Sequence, residues 1–209
     1  MKENIRAIVT LAVITLVSGV LLGFIFELTK EPIAAQEELA RQNAAKSVFE
    51  SAETFEPVEE LNTEEGRASM EKLLAEEGFT QEAVTEAFYA KDGSGNTLGY
   101  VLNVRTMEGY GGEIDISMGI LNDGTLNGIE ILSISETAGL GMKADTPEFK
   151  DQFRNRKVSR FSYTKSGAAM DYEIDALSGA TITTNAMVNA VNAGLVWFGA
   201  MSEGGAADE

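Results

Sequence analysis

The sequence predicts an α+β protein: one N-terminal transmembrane helix, then an extracytoplasmic domain with an antiparallel sheet and flanking helices. Three observations carry this. Residues 7–26 form an uncharged apolar run, strand-like segments between residues 87 and 134 are joined by Gly- and Asn-containing turns, and residues 184–198 carry an apolar helical face. Alternation at a period of two and recurrence at three to four residues are the marks of half-buried strands and of one-sided helices.

The apolar run is AIVTLAVITLVSGVLLGFIF. A helix rises about 1.5 Å per residue, so the run reaches roughly 30 Å, the depth of a bilayer core. A secretory signal has a shorter apolar region, about 7–15 residues, ending at a small-residue site. Here Glu27, Lys30, Glu31 and Pro32 separate the run from Ala34-Ala35, which favours a retained anchor. Lys2 and Arg6 precede the span and Glu27, Lys30 and Glu31 follow it, so the positive-inside rule places residues 1–6 in the cytoplasm and the remainder outside the cytoplasmic membrane. Gly19 and Gly23 make a GxxxG pattern that would suit close packing against other membrane helices, although glycine is common in such spans.

Residues 27–83 read as a helical connector followed by an acidic segment. Glu31 to Glu50 is rich in Ala, Glu and Gln, with Pro32 suited to a first turn or to a break after the span. Residues 51–83 look least constrained, with a helical patch near Ala68–Glu77. The domain proper is expected over residues 84–200. Ala87–Lys91 and Leu98–Thr106 read as strands around Asp92-Gly-Ser-Gly-Asn96; Glu113–Leu121 and Ile129–Ile134 read as strands around Asn122-Asp-Gly124. Thr146–Phe153 reads as a short helix capped by Thr146 before Pro147, and Tyr172–Ile174 as a last strand. In the helix expected at Thr184–Phe198, Met187, Val188, Val191, Leu195 and Phe198 share one face, and Trp197 reads as core or domain surface. Residues 201–209 read as a flexible tail.

The formal charge is −17, and residues 31–209 carry −18 of it against +1 before them. So acidic a domain repels phosphate backbones, which argues against nucleic-acid binding. Cys and His are both absent from the sequence. The chain therefore offers no thiolate or imidazole for haem, iron–sulfur clusters or structural zinc, and neither a disulfide nor a Ser-His dyad. Redox chemistry here would need an organic cofactor held by other groups.

Three Gly-containing segments stand apart: Glu108-Gly-Tyr-Gly-Gly-Glu113, Ser135-Glu-Thr-Ala-Gly-Leu-Gly-Met-Lys143 and Asp175-Ala-Leu-Ser-Gly-Ala-Thr-Ile-Thr-Thr184. In the third, the small residues Ser178, Gly179, Ala180 and Thr181 let a bulky group approach the backbone, and amides at a helix start favour an anion. Spacing alone favours a plain Thr-rich helix cap with a tight turn over a ligand site. Neither a Walker loop nor a dinucleotide-binding GxGxxG is present.

Asp175-x-x-Ser178-Gly179-Ala180-Thr181 resembles the flavinylation motif of the FMN-binding domains in the G subunit of the Rnf complex and in the C subunit of the sodium-translocating NADH:quinone reductase. Gly109-Tyr-Gly-Gly112 and Glu136-Thr137-x-Gly139-Leu-Gly141 are similar to that family's GYGG and ETPGLG segments. The likeness runs from about Leu98 to Phe198 and includes the anchor. It implies FMN joined to Thr181 as a phosphoester by a flavin transferase, with Asp175 read by that enzyme or placing the hydroxyl. It also implies a pocket shaped by Gly111 and Gly112, with Glu136, Thr137, Gly139, Leu140, Gly141 and Lys143 near the ring or phosphate. Ser178, Gly179, Ala180 and Thr183 would lie near the phosphate. Glu136 also reads as a surface carboxylate beside a turn, and Lys143 as a solvated cation. Ala138 stands where the family usually has Pro, and Ser135 where a His is common. The modest length favours the Rnf member over its quinone-reductase relative.

The resemblance thus implies a non-catalytic electron carrier in an ion-translocating ferredoxin:NAD oxidoreductase, anchored in the bilayer beside other membrane subunits. An alternative of another class is a cofactor-free, membrane-anchored interaction domain. A self-sufficient flavin reductase would need a second nucleotide-binding domain, for which the chain outside the span is too short.

Overall fold

A single helix, α1 (Lys2–Val48), opens the computed structural model, which describes residues 2–205. The expected span and connector helix are one element, and Pro32 lies inside it. The helix continues past the proline because residues 33–47 are dominated by Ala, Glu and Gln, which lose little freedom on becoming helical. Among the described residues, α1 is the one helix long and apolar enough to cross a membrane. Leu11, Leu16, Leu22 and Phe26 are exposed along it. Residues 1–40 and 41–209 form two separate compact units.

The second unit begins with the end of α1, where Ala44, Ala45 and Val48 become buried. Residues 51–83 prove more ordered than their composition suggests. β1 (Thr54–Pro57) pairs antiparallel with the strand that follows, and α2 (Glu59–Asn62) leads into α3 (Glu64–Glu76). The Thr63 hydroxyl accepts the Gly66 N–H at 3.0 Å, capping α3. Val58, Leu61, Leu74 and Phe79 from this segment are buried in the main core. A four-residue strand without alternation gives too weak a pattern to stand out in an acidic stretch.

β2 (Glu82–Lys91), β3 (Thr97–Gly109), β4 (Gly112–Leu121) and β5 (Leu126–Ile134) complete a five-stranded antiparallel sheet in simple sequence order. Each of these strands turns back onto its neighbour, so they are joined by hairpins. On one face Leu102, Val104, Ile114, Ile116, Met118 and Ile120 meet the main core. On the other, Val101 and Ala90 join Ala45, Val48, Phe49 and Ala52 in a smaller cluster. Both faces are covered. That is why residues 116–120 are buried without interruption, although EIDISMGIL reads as alternating.

Past the sheet, a 3₁₀ turn (Gly141–Asp145), α4 (Pro147–Lys150) and a second 3₁₀ turn (Asp151–Phe153) form the short helical region. Thr146 holds the cap position of α4, but its hydroxyl donates back to the Lys143 carbonyl at 2.9 Å. Phe149, Phe153 and Phe161 stack edge to face at 5.7 and 5.1 Å and pin this region to the core. β6 (Ser162–Thr164) and β7 (Glu173–Asp175) form a small parallel pair. α5 (Thr181–Gly205) then lies across β3, with flanking contacts to β2 and β4. It begins three residues before the expected Thr184 and runs past Phe198. Residues 206–209 of the expected tail lie outside the described residues. Met187, Val191 and Trp197 are fully buried on α5, and such large apolar side chains each contribute about 1.5–3 kcal/mol.

One buried carboxylate marks the sheet end nearest α3. Glu82 is 7% exposed and accepts the Thr106 hydroxyl at 2.9 Å. Burial, with a smaller push from Glu108, raises its pKa above the ordinary 4.5, against the opposing effect of the Thr106 bond. The folded state therefore holds this proton more tightly than the unfolded chain. The stabilisation is complete below pH 4.5 and is lost as pH rises through the raised value. Denaturant midpoints measured from about pH 4 to pH 8 should fall less steeply for Glu82→Gln than for the parent; parallel slopes would remove Glu82 as the cause.

Candidate functional site

Two tight turns of the same design face each other at one end of α5. In the first, the Leu140 N–H donates to the Thr137 carbonyl at 3.1 Å around Gly139, whose φ is +77°. In the second, the Ala180 N–H donates to the Leu177 carbonyl at 3.1 Å around Gly179, also at φ +77°. A glycine with positive φ at the third position is the requirement of a type II turn, since a Cβ there would be strained. The turns touch, because Leu140 Cδ2 lies 3.2 Å from where a Gly179 Cβ would stand.

The second turn delivers the chain into α5. The Ala180 carbonyl accepts the Thr184 N–H at 3.0 Å, which makes Ala180 the cap residue and Thr181 the first residue of the helix. The Thr-rich cap allowed by spacing alone is thus not what forms. Alanine has no side chain to cap the helix, so the first-turn amides of Thr181, Ile182 and Thr183 keep their hydrogen-bonding capacity. The three nearby threonines divide the work. Thr184 is fully buried; its hydroxyl donates to the Ala180 carbonyl at 2.9 Å and accepts the Leu177 N–H at 3.0 Å, locking the turn. Thr183 is 1% exposed. Thr181 is half-buried, and its hydroxyl makes no hydrogen bond among the described residues.

Between the turns lies a cleft of about 540 Å³ lined by Tyr110, Glu136, Thr137, Leu140, Gly141 and residues 179–183. That volume falls within the range of small-molecule sites. The cleft takes in eight of the predicted site residues: Glu136, Thr137, Leu140, Gly141, Gly179, Ala180, Thr181 and Thr183. The others do not line it. Gly139 and Ser178 belong to the turns. Gly112, at φ +107°, opens β4 just after the hairpin turn, and Lys143 is exposed on the 3₁₀ turn. Gly111 packs so close that a Cβ would meet the Ser135 carbonyl at 1.9 Å. Asp175 sits on β7, exposed, with Oδ1 accepting the Ala168 N–H at 2.6 Å and its own N–H donating to Gln152 Oε1 at 2.6 Å.

Two carboxylates tie the Gly-rich segments together. Glu136 Oε1 accepts the Gly111 N–H at 3.3 Å, and its Oε2 lies 2.5 Å from where a Gly141 Cβ would stand. Glu108 Oε2 accepts Nδ2–H donors from Asn185 at 3.1 Å and Asn189 at 2.7 Å, one and two turns along α5 from Thr181. Sequence reasoning passed over Glu108, Asn185, Asn189 and Thr184, and also the lining residues Tyr110 and Ile182. The four-residue spacing of the asparagines, on a helix otherwise apolar there, was the available signal. Tyr110, Leu140 and Ile182 are exposed large apolar side chains at the cleft.

Comparison with known proteins gives concordant matches. An FMN-binding domain model matches residues 109–196, and an RnfG N-terminal region model matches residues 1–48. The chain is 32% identical over 200 residues to the G subunit of an ion-translocating oxidoreductase complex of Methanosarcina acetivorans, covering 95% of this chain and 96% of that one. It is 33% identical over 126 residues to the G subunit of the Na(+)-translocating ferredoxin:NAD(+) oxidoreductase complex of Acetobacterium woodii, covering 59% of this chain and 60% of that one. It is 26% identical to the proton-translocating counterpart of Clostridium ljungdahlii, covering 87% and 84%. Among solved structures, Shewanella oneidensis NqrC aligns with a TM-score of 0.45 at 21% identity, covering 51% of this chain and 53% of that one.

The first turn carries Ala138 at its second position, where proline pre-sets φ at no cost in contacts. Ala138→Pro should stabilise the domain by about 0.4–1 kcal/mol through the unfolded chain. A raised thermal midpoint checks this; a lowered one would mean that the turn is not of this type.

Proposed function

The chain belongs to the RnfG family, the G subunits of ion-translocating oxidoreductase complexes, and on that premise we propose that it carries FMN as a phosphoester on Thr181. The coarser part of that reading, an FMN-binding electron-transfer subunit of such a complex, follows from the family. The finer part is supported by one observation above the others. Thr181 is the first residue of α5, lines the cleft and has an uncommitted hydroxyl, whereas Thr184 is buried and doubly bonded.

The residues present fit the group. The first-turn amides of α5 would face the phosphate, where the positive end of the helix dipole favours an anion. Tyr110, Leu140 and Ile182 would cover a flat aromatic ring and exclude water from its faces, and the absent side chains of Gly179 and Gly141 let Leu140, Glu136 and Thr183 close in around it. Bound there, FMN supplies one- and two-electron redox chemistry, while the protein supplies position and electrostatics. The chain itself need move no substrate proton and break no bond, so the role is that of a carrier. A covalent link removes loss by diffusion, which matters for a cofactor held outside the cytoplasm. The expected partners are the other membrane subunits, the bilayer around residues 7–26 and, during maturation, a flavin transferase.

Co-expressed with a flavin transferase, the chain should give a fluorescent band on a denaturing gel and gain the mass of one FMN less water on the peptide containing Thr181. Thr181→Ala should lose nearly all of the band, about twentyfold or more, while Thr181→Ser should retain part of it. A band that survives Thr181→Ala moves the attachment elsewhere, and a colourless wild-type protein supports the cofactor-free interaction domain instead.

The orientation proposed for α1, N-terminus inside, can be tested on the same chain because it contains no cysteine. In intact cells a membrane-impermeant maleimide should label Ser51→Cys and leave Asn4→Cys unlabelled until the membrane is opened. The reverse pattern would invert the topology.

A further inference from the structure

Among the described residues that line the cleft, one carries a charge: Glu136. The others are apolar, hydroxyl-bearing or glycine. Glu136 is half-buried, makes no ion pair among the described residues, and is held in place rather than free to swing. Oε1 takes the Gly111 N–H, and Oε2 and the Thr183 hydroxyl both lie within 2.6 Å of the point where a Gly141 Cβ would stand. Lys143, the nearest cation along the chain, is exposed and does not line the cleft.

Bridging the Gly109–Gly112 turn to the Glu136–Gly141 loop needs only an acceptor for the Gly111 N–H. A glutamine would supply that acceptor with the same reach. The negative charge is therefore surplus to the structural task, and it stands unneutralised in a cleft walled by Tyr110, Leu140 and Ile182, where a ring seated among them would displace the water that otherwise screens it. We propose that Glu136 is a positioning residue with a second role: its fixed charge lowers the reduction potential of the flavin held in this cleft. This rests on the FMN reading above. Reduction brings one electron from an external donor, which is oxidised by one electron. The added charge remains on the ring unless a proton from solvent follows it. A neighbouring carboxylate makes that added charge less favourable, as it does for any second anion close by.

The test uses the full-length chain, co-expressed with a flavin transferase, purified in detergent and titrated with dithionite against redox dyes. Glu136→Gln keeps the acceptor for Gly111 and removes the charge. Its first-electron equilibrium should favour reduction by about tenfold more than the parent's, which is about 59 mV upward for a one-electron step. Glu71→Gln, an exposed change on α3, removes the same unit of net charge at a residue outside the cleft lining and should leave the midpoint in place. If Glu136→Gln does not load, Thr137→Lys puts a cation on the same cleft with Glu136 intact, and the midpoint should again rise. A loaded Glu136→Gln protein with an unchanged midpoint, or a Glu71→Gln shift of equal size, overturns the proposal. A wild-type chain that takes up no flavin at all would instead defeat the FMN reading on which it rests.

Discussion

The packing of α5 across the sheet is the constraint from which the site follows. Met187, Val191 and Trp197 are fully buried beneath it, and Gly194 brings the helix so close that a Cβ would stand 2.2 Å from Met118 Sδ. A helix seated so firmly has its first turn fixed in space as well as in sequence. That first turn is the cleft wall, so the position of Thr181 is a consequence of burial along the helix rather than of local loop preference.

Around that fixed helix start, the Gly-rich segments are arranged by a few polar contacts. Glu108 reaches α5 through Asn185 and Asn189, and Glu136 reaches back to Gly111, so the hairpin, the loop and the helix are bound in a chain of contacts. The two type II turns then set the width of the opening, with Leu140 resting against Gly179. Each contact is modest, about 0.5–1.5 kcal/mol for an ordinary hydrogen bond and up to about 3 kcal/mol with a charged partner. Their joint effect is to pre-form the cleft, so that little ordering would remain to be done when a ligand enters.

The same geometry separates residues that a motif alone treats alike. Thr181, Thr183 and Thr184 lie within one turn of one another, yet their exposure and bonding differ sharply. Asp175, the motif acid, lies outside the cleft lining. Its carboxylate holds the Ala168 N–H, while Glu173 accepts the N–H groups of Ala169 and Met170, so the two acids order the loop after β6. The motif is thus two structures joined end to end: a carboxylate that shapes a neighbouring loop, and a turn that launches a helix.

Much of this was legible in the amino-acid order. The apolar run at residues 7–26, the hairpins β2–β3 and β4–β5, and the apolar stripe of α5 all follow from periodicity and turn chemistry, because those signals act over a few neighbouring residues. The three Gly-containing segments were equally visible, and residues from all of them line the cleft. What tertiary structure alone decided was which atoms meet. β1 and the buried part of residues 51–83 could not be read, since a short strand is stabilised by its partner rather than by its own pattern. Nor could the cap at Ala180 in place of a threonine, the grip of Glu108 on α5, or the isolation of the Glu136 carboxylate. The last two depend on contacts between segments 25 to 81 residues apart, where local preference carries no information and packing supplies it.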